Sequence, residues 1–102
     1  MVKVQLIIDL VTPGVGRRRA ERTAMLPGMP AVGQFIDTVR GPTLALAVTA
    51  VRWHAVDGTV LAFLGAGDSQ RPSITDHDGE LELSDHFIND LQDAGWSIGE
   101  YE

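Results

Sequence analysis

Three clusters in this 102-residue chain have the residue types that chemistry uses. The first is Gly14-Val15-Gly16 followed by Arg17, Arg18 and Arg19: glycines to wrap a phosphate and cations to neutralise it. A dinucleotide loop needs a further glycine where Arg19 stands, and no Lys-Ser/Thr pair follows to complete a nucleotide loop. A dinucleotide fold also needs repeated βαβ units, for which the chain has neither the length nor the order. The stretch therefore reads as a turn. The second cluster, Asp76-His77-Asp78-Gly79-Glu80-Leu81-Glu82, is rich in oxygen ligands, yet its glycine follows the second aspartate directly. A calcium loop places that glycine after a third ligand, so an acidic hairpin turn fits better. The third, His86 and Asp90, lies one helical turn apart and is half of a metal site with no second pair. There is no G-x-S-x-G elbow, no cysteine nucleophile, and no acid–base pair that stands apart from the surface carboxylates. The expectation is a non-enzyme without catalytic residues, metal or cofactor.

The arginines merit a separate reading. Arg17, Arg18, Arg19 and Arg22 fall within six residues of one predicted strand, so they project to both of its faces. One reading is a basic strip for a polyanion. The other is neutralisation by the protein's own acidic half. Residues 1–67 carry a net charge of +3 and residues 68–102 a net of −9, for −6 overall. No stacking aromatic lies near the arginines in sequence and the whole chain is acidic, so internal pairing is favoured and nucleic acid is disfavoured. The acidic segment also suits an alternative role, a decoy occupying the nucleic-acid-binding surface of a basic partner.

One domain over residues 1–102 is what this length allows. A hydrophobic content of 44% beside 22% charge is ordinary for a globular chain. Zero cysteines exclude a disulfide scaffold and thiolate metal sites. The opening MVKVQLIIDLV is interrupted by Asp9 and has no cleavage site, so it reads as a strand and not a signal peptide. The longest apolar run, residues 44–51, is too short to span a bilayer, and a cytoplasmic setting is the default expectation.

The elements follow from periodicity. Residues 2–11 alternate, with Val2, Val4, Leu6, Ile8 and Leu10 on one face. A turn over residues 12–16 returns the chain through 17–26, read as a strand, although Ala, Glu and Arg also permit a short helix. Pro27, Gly28 and Pro30 make a loop, and residues 32–36 a short extended piece before Gly41-Pro42 breaks the chain. Residues 43–64 then read as a hairpin, the β-branched Val48, Thr49 and Val51 outweighing an Ala-rich helix over 44–51. Asp57-Gly58 favours a two-residue turn and pairs Val56 with Thr59, Trp53 with Ala62 and Val51 with Leu64. Val51, Trp53, Ala55, Val60, Ala62 and Leu64 then share an apolar face, while Arg52, His54, Val56, Thr59, Leu61 and Phe63 make a mixed one. His54 falls beside Phe63 there, as a partly buried, hydrogen-bonded side chain. The apolar phase switches from even to odd positions near Thr49-Ala50, which predicts a β-bulge. Residues 65–69 end this hairpin and Asp76 to Gly79 turn a second one. A helix is expected over 84–95, with Ser84 as N-cap, Phe87, Ile88, Leu91 and Ala94 as its apolar face and Gly95 as its stop. Trp96 and Ile98 follow as a last short strand or a clamp.

Leu26-Pro27, Pro30, Val32-Gly33 and Ile36, then Val48, Val51 and Trp53-His54, resemble a pattern in small uncharacterised bacterial and phage proteins. Those are short β-rich chains in which an LPxxPxVGxxI segment precedes a VxxVxWH strand. The resemblance covers about residues 26–64 and rests on turns and core positions, so it implies no activity and carries over no functional residue.

The expected fold is thus α+β: a small, strongly bent antiparallel sheet of four to six strands, SH3-like or a partly open barrel, with one helix near 84–95 over an open face. The expected function is a protein-interaction module of unnamed partner, with a homodimer among the candidate assemblies and no membrane partner. Arg52, His54, Val56, Leu61 and Phe63 are its candidate surface, because interface centres use an aromatic and an arginine among aliphatics.

Overall fold

The computed structural model describes residues 1–40, 44–66, 74–77 and 79–102. Its first two strands, β1 (Val2–Thr12) and β2 (Gly16–Leu26), form a hairpin paired along its whole length, from Val2 opposite Leu26 to Thr12 opposite Gly16. The turn between them closes with the Val15 amide donating to the Thr12 carbonyl at 3.0 Å. The arginine-rich return is therefore a strand, held by the ladder against residues that would tolerate a helix. Alternation along β1 puts Val4, Leu6, Ile8 and Leu10 into the core, with Val2 packed at its margin.

The sheet is mixed, and this corrects the antiparallel expectation. β1 lies at its centre and pairs in parallel with β5 (Thr59–Gly65), Val4 beside Val60 through Ile8 beside Leu64. Where β5 leaves, β7 (Glu80–Leu83) continues along the same edge with Leu81 beside Leu10. β3 (Phe35–Asp37) and β4 (Ala45–His54) lie beyond β5, and β8 (Ser97–Ile98) lies beyond β2, giving the order β3-β4-β5-β1-β2-β8. Among the described residues β6 (Ile74–His77) pairs with β7 alone. Eight strands among the described residues thus replace the expected four to six, the extra ones being short. The sheet curls into a half-barrel with one short helix, a small α+β fold that is mostly β.

The predicted bulge is present, the β4–β5 register shifting between Val48 and Ala50. The predicted pairing is displaced by two residues: Trp53 stands opposite Val60, and Val51 opposite Ala62. A shift of two preserves which side chains share a face, so Val60, Ala62 and Leu64 still line the core. It lengthens the loop to four residues, which takes Ala55 and Val56 out of the strand.

Helix α1 (Asp85–Asp93) follows Ser84, whose backbone is extended as a cap requires but whose side chain makes no cap bond. Ile88 and Leu91 are buried and Phe87 and Ala94 half-buried, so the apolar stripe docks on the concave face with Leu81, Leu6 and Ile8 in one cluster. The chain leaves the helix through Gly95 at φ +95°, a left-handed turn that suits glycine. Trp96 then turns inward and is buried, its indole N–H donating to the Thr38 carbonyl at 2.7 Å. The clamp and the last strand are both present. Gly41-Pro42, residues 67–69 and Asp78 lie outside the described residues.

Candidate interaction surfaces

The hairpin loop is built around one carboxylate. Asp57 accepts from the Thr59 amide at 3.0 Å and meets His54 Nδ1 at 3.1 Å, while the Gly58 amide donates to the His54 carbonyl at 2.9 Å. Gly58 sits at φ +70°, where a side chain would be strained. The Thr59 backbone amide, then its side chain, holds the Asp57 carboxyl below the usual carboxylate range, and His54 adds to this. His54 is therefore exposed and bound to the loop, opposite Thr59, rather than half-buried beside Phe63 as the shorter turn implied.

This loop divides the five candidate surface residues. Arg52 and Leu61 face each other across the ladder, Phe63 faces Ala50, and these share the convex face with His54. Helix α1 packs on the opposite face and leaves them uncovered by it. Val56 does not join them: it sits at the loop tip, 91% exposed. Phe63 is half-buried, with the Arg19 guanidinium 5.9 Å above its ring. Trp53, assigned by pattern to the buried face, is 66% exposed. The displaced register moves it from opposite Ala62 to opposite Val60, one rung from the loop, where its side chain stays open to water. The loop is two residues longer than Asp-Gly alone suggests.

Each arginine of the basic strip has a local partner. Arg17 Nε meets Glu80 at 3.1 Å and Arg19 Nε meets Asp9 at 2.9 Å. Arg22 donates to the Ala94 carbonyl at the C-terminal end of α1, where the helix has no basic residue of its own. The Arg18 guanidinium lies 4.3 Å from the centre of the Tyr101 ring, a cation–π contact. Its Nε is the buried side-chain nitrogen left without a hydrogen-bond partner among the described residues. Asp9, Arg17, Arg18, Arg19, Glu80 and Glu102 together line a polar recess of about 390 Å³. Charges of both signs balance there, which makes it a poor fit for a free anion.

The remaining titratable clusters are pairs. His77 Nε2 meets Glu82 at 2.9 Å, His86 Nε2 meets Asp90 at 3.4 Å, and Asp76 accepts from the Gly79 amide at 2.8 Å. Among the described residues, no three of His, Cys, Asp and Glu gather as a metal would require. No helix among them is long and apolar enough to cross a membrane. No protein-family model matches the chain, and no curated protein or solved structure is similar to it.

Proposed function

We propose that the chain is a non-enzymatic protein-interaction module, set in the bacterial or phage-infected cytoplasm, whose contact is centred on the β4–β5 hairpin with Trp53 as anchor. The exposure of Trp53 carries this reading. A tryptophan two-thirds open to water on a small domain leaves a large apolar surface uncovered, and tryptophan is enriched among residues that dominate binding energy. Val56 extends the apolar tip. Arg52, His54 and Asp57 add polar groups at the same end of the hairpin, Arg52 and His54 on the face opposite Trp53. Leu61 and Phe63 continue the surface onto the convex face of the partly open barrel.

Sedimentation at micromolar concentration, with pull-down from the native host, tests it. A Trp53→Ser, Val56→Ser chain should fold normally, lose the captured partner and lose any self-association the wild type shows. A folded variant that keeps both would remove the hairpin from the interface.

A second reading is supported by the helix. α1 carries Asp85, Asp90 and Asp93 and no lysine or arginine, with Asp85, Asn89, Gln92 and Asp93 exposed. That is the face an acidic decoy would present to a nucleic-acid-binding protein. Binding of this kind weakens steeply with salt and competes with DNA or RNA. A partner retained unchanged at high ionic strength excludes it.

A further inference from the structure

We infer that the outer edge of β2 between Gly16 and Glu21 is a seat for an extended acidic segment bearing a tyrosine, filled here by the chain's own residues 97–102. This surface lies on β2, adjoins the β4–β5 hairpin where Arg19 lies over Phe63, and does not depend on the proposed function. The seat has the backbone pattern of strand addition: Ala20 pairs with Ile98 and Glu21 with Ser97. The Gly99 amide donates to the Arg19 carbonyl at 3.0 Å and the Glu102 amide to the Arg17 carbonyl at 2.9 Å. Main-chain bonds of this type hold any extended peptide, and side-chain pockets select among them.

The pockets here are specific. Arg18 lies under the Tyr101 ring, and the Tyr101 hydroxyl lies 3.1 Å from Thr12 Oγ1. Gly16 clears the path of the segment, because a Cβ built there would stand 2.5 Å from the Glu102 carbonyl oxygen. Glu102 lines one recess with Arg17, Arg18 and Arg19, so charge also favours an acidic occupant. The resident segment leaves one group unanswered, the buried Arg18 Nε. An incoming segment that places a carboxylate oxygen there would improve on the resident one. Ser97, Gly99, Glu100, Tyr101 and Glu102 are exposed and Ile98 alone of the segment packs at the margin of the core, so the seat is open to a competing strand of the same chemistry.

The test uses the full-length protein and a fluorescein-labelled peptide of the sequence Ser-Ile-Gly-Glu-Tyr-Glu, read by anisotropy. In the wild type the tethered segment competes at an effective concentration on the order of millimolar. Gly99→Pro removes the amide that bonds Arg19 and should raise apparent affinity for the peptide at least about tenfold, with affinity falling as salt increases. Tyr101→Ala, at an exposed position, serves as the second unseating variant should Gly99→Pro fail to fold. Adding Arg18→Gln should abolish the gain. A folded, unseated chain that binds the peptide no better than wild type overturns the proposal, as does binding that ignores Arg18→Gln.

Discussion

Trp96 and Thr38 stand 58 residues apart in the chain, and the indole N–H of one donates to the carbonyl of the other at 2.7 Å. The bond is buried and crosses the open side of the half-barrel, joining the end of β3 to the segment between α1 and β8. No ladder joins those two edges among the described residues, so one side chain does the work of a strand. Trp96→Phe keeps an aromatic side chain but loses the five-membered ring and its N–H, leaving the Thr38 carbonyl without this donor. The expected loss is about 1–3 kcal/mol, seen as a lower urea midpoint at unchanged slope.

The two tryptophans sit in opposite environments, which fluorescence separates. The Trp96→Phe chain should emit at the long wavelength of a hydrated indole and be strongly quenched by acrylamide, because only Trp53 remains. The Trp53→Phe chain should emit to the blue and resist quenching. A blue shift of the Trp53 signal on adding a partner would report burial of the hairpin directly.

Leu91 is fully buried where the helix meets the sheet. Leu91→Ala should cost about 2–5 kcal/mol, the range for a large-to-small change in a core. An unchanged urea midpoint would contradict the docking of α1.

The ion pairs of the basic strip should contribute little. Arg19 and Asp9 remain 51% and 37% exposed, and surface pairs contribute about 0–1 kcal/mol. Arg19→Gln should therefore lower stability by no more than about 1 kcal/mol, and by less in high salt. An Arg18→Gln, Arg22→Gln chain differs, since Arg22 answers a helix carbonyl and Arg18 carries Tyr101. It should lose stability while heparin retention stays low throughout. Strong heparin retention by the wild type, abolished at unchanged melting temperature, would assign the strip to an external polyanion instead.

Asp57 sets the acid response of the hairpin. Its folded-state pKa is depressed by the Thr59 bonds, so its contribution is present above the ordinary carboxylate range. That contribution disappears as pH falls through the depressed value. A carbon-detected titration should place Asp57 below the ordinary carboxylate range, and Asp57→Asn should remove the corresponding acid-induced change in the Thr59 amide.

How much of this was legible in the sequence follows the range of each signal. The β1–β2 hairpin, the bulge at Val48/Ala50 and the helical stripe of Ile88 and Leu91 are written in local periodicity and were readable. The parallel pairing of Val4 with Val60 has no local signature, because the connection that imposes it spans three other strands. The hairpin register failed for a chemical reason. Asp57 bonds both His54 and Thr59, which stabilises a four-residue loop where Asp-Gly alone suggests two. Trp53 was lost to that slip. Tyr101 was overlooked because its partner, Arg18, lies at the other end of the chain.

The central place of β1 also has a consequence during synthesis. The ribosome releases β1 and β2 long before β5, whose residues cover the other edge of β1. At about 5–20 residues per second, several seconds pass with that edge bare and Val4, Leu6 and Ile8 without most of their cover. The nascent hairpin is thus an open template for another strand. Lys3, Gln5 and Asp9, spaced among its apolar positions, are the polar groups that keep it from pairing with a neighbour on the same message before β5 arrives.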